Sequence, residues 1–277
     1  MPDPAELSRS LANLFPEGDY HFHMGFERGR AEEFFAPTAE HDTLIVQRRR
    51  WLRTAPNTYA AILPEGAALL DEAVELAGKW QGFTLGYTKV GNWEQCLALG
   101  EFLEPDYLLL KGDADGAIRL YGGCVCFPSS WRLSDKIGRP IEIIHDPVPG
   151  LNASIGSAIH KFLSAVKPGV AWLRHNWGLA RDAELNRHPD RDLPKLDSHV
   201  AVEEVFLRVE HQALVALPES GGLLFGIRVA NHRLVDVKAD PVARVRLHRA
   251  LETMAEAIAV YKGIASTRGR ILEMLAG

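Results

Sequence analysis

The chain has 277 residues, of which 47% are hydrophobic and 24% are charged, and its formal net charge is −5. This composition is typical of a globular protein with a sizeable core, and the negative charge excludes a general binder of nucleic acid or of acidic membranes. No apolar run approaches the roughly 20 residues that cross a bilayer, and the amino terminus lacks the pattern of a secretion signal. We therefore expect a cytoplasmic protein without a nucleic-acid or membrane partner.

The first part of the chain, up to about residue 95, is predicted to be mostly helical. An apolar stripe in HDTLIVQRRRWLRTAP indicates a helix that ends at Pro56. A second stripe, in EGAALLDEAVELAGKW, indicates another helix.

Strand signals follow Pro105. DYLLLK and AIRLYGGCVCFP are short, apolar and bounded by turn residues, which predicts a hairpin that turns near residue 116. LNASIGSAIHKFLSAVKPG then predicts a helix with Asn152 as its N-cap, and VAWLRHNW predicts a further strand. The charges and prolines of residues 181–199 indicate a polar loop.

The clearest pattern is a hairpin in EEVFLRVEHQALVALPESGGLLFGIRV, where two alternating strands flank a five-residue turn, Pro-Glu-Ser-Gly-Gly. One face is predicted to belong to a core, with Val205, Leu207, Val209, Ala213 and Val215 partnered by Leu223, Phe225, Ile227 and Val229. The other face is predicted to carry Arg208, Glu210 and Gln212, with Gly226 and Arg228 across the turn.

A long helix from about Pro241 to Tyr261 and a shorter one are predicted to complete the chain. The order of elements favours an α+β fold, with an antiparallel sheet flanked by helices, rather than alternating α/β. We expect a single domain over residues 1–277, with helical parts at about 1–95 and about 240–277.

His145 stands in GRPIEIIHDPVPGLN, where Pro147 and Pro149 stiffen the loop. A metal-binding histidine needs such an environment, since one ring nitrogen must stay free and correctly oriented. No second ligand follows at zinc spacing, so a site with a single protein ligand fits best, and haem is the main case. The alternative is a buried histidine whose hydrogen bonds are satisfied locally.

The polar face of the hairpin is a second candidate site. Glu210 and Gln212 can converge on a flat cavity, which Gly226 would leave open to a planar ligand, while Arg208 or Arg228 would pair with haem propionates. The alternative is the solvated side of an antiparallel sheet.

Other candidates lie nearby in the sequence. In SSWRLSDKIGRP a short helix is expected between Ser130 and Gly138, which would place Lys136 and Arg139 near the His145 loop; surface charges are the alternative. Trp177 can present an aromatic face to a cation or can pack in the core. The remaining candidates have simpler interpretations: buried, reduced thiols for Cys124 and Cys126, and a docked arm for HFHMGF.

Several segments together resemble the haem-dependent oxidative N-demethylase alpha-subunit family. They are GGCVCFPSSWRLSDKIGRPIEIIHDPVPGLN, LRHNWGL and LRVEHQALVALPESGGLLFGIRV, preceded in the family's order by FHMGFERG, RRRWLRTAPNTYAAILPEGAALLDEAVELA and LEPDYLLL. Ala216 and Ala230-Asn231 depart from the family pattern, in which a basic residue and Thr-Tyr are frequent.

The resemblance implies a PAS-like haem domain, whose antiparallel sheet holds b-type haem. It implies a monooxygenase-type oxidation of a secondary N-methylamine by molecular oxygen, with formaldehyde release. The resemblance also implies that electrons come from NADPH through flavin and iron-sulfur partner subunits, and the lack of a nucleotide-binding motif in this chain agrees with that. Without Cys-x-x-Cys-His, the haem would be bound non-covalently. His145 would be the proximal iron ligand, and Arg208, Glu210 and Gln212 would face haem or substrate.

Three hypotheses remain at this point. In the first, the chain is an enzyme, and Glu210 and Trp177 bind a small alkylammonium as acceptor and aromatic face. In the second, the chain is a haem-binding sensor or carrier of gas or redox state. In the third, it has lost haem and binds another small molecule.

Overall fold

The fold is given by a computed structural model, which describes residues 11–276 apart from 12, 16 and 83–90. The first ten residues, on which the expectation of no secretion signal rests, and part of the predicted helical region lie outside the described residues. Within the described chain, seven strands form one sheet. In chain order they are β1 (Glu27–Gly29), β2 (Ala60–Ile62), β3 (Asp106–Gly112), β4 (Ile118–Cys124), β5 (Ala171–Ala180), β6 (Phe206–Leu217) and β7 (Gly222–Arg233).

Helices precede β3, separate β4 from β5, and follow β7. They are α1 (Ala31–Phe34), α2 (His41–Thr54), α3 (Pro56–Tyr59), α4 (Ala67–Gln81), α5 (Asn92–Phe102), α6 (Ile141–His145), α7 (Ser157–Leu163), α8 (Leu234–Ala239), α9 (Pro241–Thr253), α10 (Glu256–Tyr261) and α11 (Arg268–Ala276). The two helices predicted in the first part of the chain are confirmed as α2 and α4.

The sheet has the strand order β1-β5-β6-β7-β3-β4-β2, and every neighbouring pair is antiparallel. The predicted α+β class is therefore confirmed. Strands β1 and β2 interrupt the part of the chain predicted to be helical. Each has only three residues, which is too short for an alternating pattern, so their strand partners rather than their own sequences define them.

The hairpin of β6 and β7 corrects the predicted register. Leu217 pairs with Gly222, so the connection has four residues, Pro218 to Gly221, instead of five. A shift of one residue moves every side chain of a strand to the other face. The predicted partnership is thus wrong: Leu223, Phe225, Ile227 and Val229 lie on the face of Arg208, Glu210 and Gln212, and Gly226 and Arg228 lie on the opposite one.

Both faces of the sheet are covered. We call the face that carries Glu210 and Gln212 the polar face. It packs against the segment that contains α6 and α7, where Leu214 and Ile159 share a hydrophobic cluster. The opposite face packs against α4, with Leu69 and Leu224 in one cluster, and farther along against α9 in another. Helices from both ends of the chain thus cover the opposite face and leave the polar face to α6 and α7.

Three predicted helix boundaries are wrong. Asn152 does not cap a helix, because it lies within a helical turn and its Nδ2 donates to the carbonyl of Glu142 at 2.8 Å. Ser130 adopts a positive φ of 64°, and the short 3-10 helix begins later, at Leu133. The long helix predicted after Pro241 is broken beyond Thr253, where the backbone becomes extended.

A buried ion pair joins α2 to the sheet. Arg48 Nη1 lies 2.5 Å from Asp106 Oδ1, and the two residues are 0% and 1% exposed. Asp106 also accepts from the backbone N–H groups of Cys126 and Phe127, at 2.7 and 3.0 Å. These bonds fix the segment that leaves β4 and leads to the polar face.

Glu72 of α4 holds the turn between β6 and β7. Its carboxylate accepts from the backbone N–H groups of Glu219 and Ser220, at 3.0 and 2.8 Å, and from the Ser220 hydroxyl at 2.6 Å. A helix earlier in the chain thus fixes the turn that determines the hairpin register.

Candidate functional site

His145 is the last residue of α6 and is half-buried. Its imidazole makes no hydrogen bond to any residue in the described ranges. The local hydrogen bonds expected of a buried structural histidine are therefore absent there. Burial lowers the pKa of His145 to about 4, reinforced by the positive charges of Lys136 and Arg174 against an opposing effect of Glu142. The imidazole is therefore neutral at pH 7, the form in which histidine binds metals.

Of the two basic residues predicted near this loop, Lys136 is placed against it. Its Nζ donates to the carbonyl of Ile144 at 3.4 Å and lies 5.2 Å from the ring centroid of Trp131. Burial lowers the pKa of Lys136. Arg139 is exposed, and its side chain makes no hydrogen bond or ion pair with the part of the chain that the structure describes.

Glu210 is brought together with Gln212 on the polar face. Glu210 Oε1 accepts from the Ser129 hydroxyl at 2.5 Å, and Oε2 accepts from Gln212 Nε2 at 2.9 Å and Asn176 Nδ2 at 3.2 Å. All three donors are neutral, so they orient the carboxylate without cancelling its charge. A carboxylate offers about four acceptor positions, which leaves one for a ligand.

Arg208 holds the Ser129 hydroxyl that donates to Glu210. It is 4% exposed, and its Nε donates to Ser129 Oγ at 2.8 Å. Its remaining nitrogens donate to the carbonyls of Phe127, Leu185 and Glu184, at 2.8, 2.9 and 3.3 Å. Because these contacts occupy the guanidinium, Arg208 positions Ser129 and is not available to pair with a propionate.

Trp177 does not lie beside Glu210. It pairs with Val209, which places its ring on the opposite face, 5.1 Å from the ring of Phe15. A cation already contacts this ring: Lys262 Nζ lies 5.1 Å from the centroid and donates to the Trp177 carbonyl at 2.6 Å. The cation that contacts the Trp177 ring thus comes from Lys262 of the same chain, where a substrate cation was expected.

Gly226 and Arg228 also lie on the opposite face, away from His145. A Cβ at Gly226 would lie 2.6 Å from Phe35 and 2.7 Å from Phe34, so two phenyl rings fill the space that was expected to admit a planar ligand. Arg228 donates to the Phe34 carbonyl at 2.8 Å and forms an ion pair with Glu104. Both residues serve packing between α1 and the sheet.

Sequence reasoning missed Arg174 and Lys262. Arg174 pairs with Gln212 across β5 and β6, and its Nε is buried with no hydrogen-bond partner in the described chain. Burial lowers the pKa of Arg174 and brings that of Lys262 to about 8; in each case the charge of Glu210 opposes the shift. Alternation along β5 could have placed Arg174 on the face of Asn176, but no local signal points to Lys262.

The opposite face carries a pair of histidines. His175 and His211 are cross-strand partners whose Nδ1 atoms are 3.0 Å apart. Burial lowers the pKa of His211 to about 4, with further lowering by His175, His232 and Arg228. Within the described ranges, no group of three or more His, Cys, Asp or Glu side chains could hold a metal ion.

The other motifs agree with their simpler interpretations. Cys124 and Cys126 are buried free thiols, as predicted, and burial raises the pKa of Cys126 well above its usual range. His21 and His23 are not buried, while Tyr20 beside them packs on the cluster of Trp177. A cavity of about 410 Å³ beside Trp51 contains none of the predicted site residues.

A comparison with protein families identifies the family of this chain. Residues 76–272, more than half of the chain, match the family described as haem-dependent oxidative N-demethylase, alpha subunit-like. The matched range includes His145, Arg174, Glu210 and Lys262. No helix in the described part of the chain is long and apolar enough to cross a membrane. The chain therefore belongs to the haem-dependent oxidative N-demethylase, alpha subunit-like family.

Proposed function

We propose that this chain is the haem-bearing component of an oxidoreductase that demethylates a small N-methylated amine. The observation that carries the proposal is the placement of His145. Its imidazole has no hydrogen-bond partner in the described chain, and the neighbouring Ile144 packs in one apolar cluster with Trp172 of the polar face. An iron ligand and an oriented carboxylate, Glu210, thus belong to the same side of one sheet.

The surroundings of His145 fit haem in three respects. A haem iron needs only one protein ligand, and His145 supplies a neutral imidazole. Ile144, Trp172 and Phe225, which belong to one apolar cluster between α6 and the polar face, would supply the apolar contacts of a porphyrin ring. Lys136, beside the His145 loop, would pair with a propionate. Haem at this position would supply oxygen activation and electron transfer.

The residues of the polar face would bind and orient the amine. The remaining acceptor position of the Glu210 carboxylate would take an N–H of the ammonium, and Ser129, Asn176 and Gln212 would keep the carboxylate fixed. The overall reaction consumes the N-methylamine, dioxygen, two electrons and two protons, and yields the demethylated amine, formaldehyde and water.

The family description speaks of an alpha subunit, which supports a companion subunit as the source of the electrons. We place NADPH, flavin and iron-sulfur clusters on such partners and only non-covalent haem b on this chain. A PAS-like, single-domain arrangement over residues 1–277 and a cytoplasmic location complete the proposal.

The test is haemin titration of the purified protein, followed by the Soret absorption band. The wild type should take up haem at one site, His145→Ala should lose or shift the band, and His199→Ala, in an exposed loop, should match the wild type. Absence of uptake by the wild type would refute haem dependence, and an unchanged spectrum in His145→Ala would refute the ligand assignment. Haem uptake without amine-dependent oxygen consumption would favour a sensor.

A further inference from the structure

Arg174 has an unusual position for an arginine. Its Nε is buried, and no hydrogen bond or ion pair joins its guanidinium to the described residues. Its guanidinium carbon lies 5.6 Å from the centroid of the Phe26 ring. A buried donor without an acceptor is costly, so such a donor calls for a partner from outside the described chain, such as a water molecule or a ligand. The natural partner of a guanidinium is a carboxylate or phosphate.

The charges around Arg174 also favour a ligand with an anionic group. Lys262 lies within electrostatic reach of both Arg174 and Glu210, and neither cation forms an ion pair with a carboxylate in the described chain. Neutral donors already orient Glu210, the acidic group common to both environments. Glu210 therefore has two positive charges near it, Arg174 on the same face and Lys262 beside Trp177, which disfavours a ligand that is purely cationic.

Arg174 and Glu210 are close enough on the sheet for one small molecule to contact both of them. Arg174 pairs with Gln212, and Glu210 lies two residues from Gln212 on the same face. Such diagonal neighbours are about 7–8 Å apart at their Cα atoms. An α-amino acid, with its nitrogen and carboxylate on one carbon, is short enough to lie between the two side chains.

We propose that Arg174 binds the carboxylate of the substrate, with Lys262 adding positive charge nearby, which makes the substrate class N-methylated amino acids rather than simple dialkylamines. The ammonium of the same molecule binds Glu210. This inference rests on the proposed function and adds the chemical class that the site selects. A haem propionate could supply the same carboxylate, so the experiment must separate the two sources.

The experiment compares N-methylglycine with dimethylamine on the haem-loaded protein. Binding is measured by calorimetry without electrons, and formaldehyde is measured with a chemical reductant and oxygen. N-methylglycine should bind at least tenfold more tightly than dimethylamine. Arg174→Gln should weaken N-methylglycine binding at least tenfold, Arg174→Lys should weaken it less, and the exposed Arg53→Gln should match the wild type. Lys262→Met provides a second test if Arg174→Gln does not fold.

Haemin and haemin dimethyl ester are titrated against the same variants. If Arg174→Gln weakens haemin but not the ester, the carboxylate belongs to the cofactor and the substrate assignment is wrong. Turnover of dimethylamine without N-methylglycine binding would also overturn the inference, while leaving the proposed function intact. Tight N-methylglycine binding without formaldehyde from either amine would support the carboxylate site and refute the demethylase function.

Discussion

Arg48 of α2 and Asp106 of β3 form an ion pair that is withdrawn from solvent, with Nη1 and Oδ1 2.5 Å apart. Removing one member of such a pair leaves an uncompensated buried charge, which typically costs about 3–5 kcal/mol. We expect Arg48→Met to lower the free energy of unfolding by about that amount in urea denaturation. Arg53→Met on the same helix is exposed and should change it by less than about 0.5 kcal/mol. Equal stability of the two variants would show that the pair contributes little.

Glu210 should be the acceptor for the ammonium of the substrate. Glu210→Gln keeps the side-chain size but removes the charge, so we expect binding of a secondary N-methylammonium to weaken at least tenfold, equivalent to about 1.4 kcal/mol. Calorimetry on the haem-loaded protein measures this, with the exposed Glu203→Gln as control. An unchanged affinity would exclude Glu210 from the binding site.

Gly226 should matter for packing and not for haem. The added methyl group in Gly226→Ala would lie 2.6 Å from Phe35, and overpacking of this kind costs about 1–3 kcal/mol. Gly178→Ala, on β5, meets nothing within 4 Å and serves as the matched control. Thermal unfolding measures stability, and the Soret band should be the same in both variants. Loss of haem uptake confined to Gly226→Ala would restore the planar-ligand interpretation.

The His175–His211 pair should make the fold sensitive to acid. The pKa of His211 is about 4, below its ordinary value of about 6.5, so between these pH values the unfolded chain binds the additional proton. Stability is therefore complete above pH 6.5 and falls as the pH drops toward 4. The contribution of His211 is at most about 1.4 kcal/mol per pH unit, reduced by solvent at this half-exposed pair.

Urea midpoints measured from pH 7 to 4.5 test this expectation. His211→Gln should flatten the acid side of the profile, whereas His199→Gln, at an exposed position, should follow the wild type. The charges of His232 and Arg228 act on His211, and those of Glu27 and Arg174 act on His175, so these groups must be kept unchanged in the comparison. A profile with the same slope in His211→Gln would place the acid sensitivity elsewhere.

Local patterns predicted the elements better than they predicted the site. Alternation along β6 and β7 was long enough to reveal both strands, and the stripes of α2 and α4 gave their helices. The predicted face of each β7 side chain was wrong because the length of the turn decides which face it lies on. A five-residue turn cannot be distinguished from a four-residue one by composition. Glu72, far away in sequence, helps to fix that length.

The short range of local sequence patterns also explains which site residues could be predicted. His145 was recognisable from its proline-rich loop, and Glu210 and Gln212 from alternation on one strand. Arg208 was placed on the correct face, but its hydrogen bonds to four backbone carbonyls depend on loops that converge only in the folded chain. Lys262 reaches Trp177 across 85 positions of sequence, a distance at which no local pattern gives information.

The Glu72 carboxylate gives the tip of the β6–β7 hairpin an unexpected property. Amide protons in a surface turn normally exchange with solvent deuterium almost freely. Those of Glu219 and Ser220 are instead held by a side chain of α4 that is only 6% exposed, so they can exchange only when helix and hairpin separate. Their protection factors would therefore report the docking of the amino-terminal helices on the sheet, from a position that is otherwise at the periphery of the molecule.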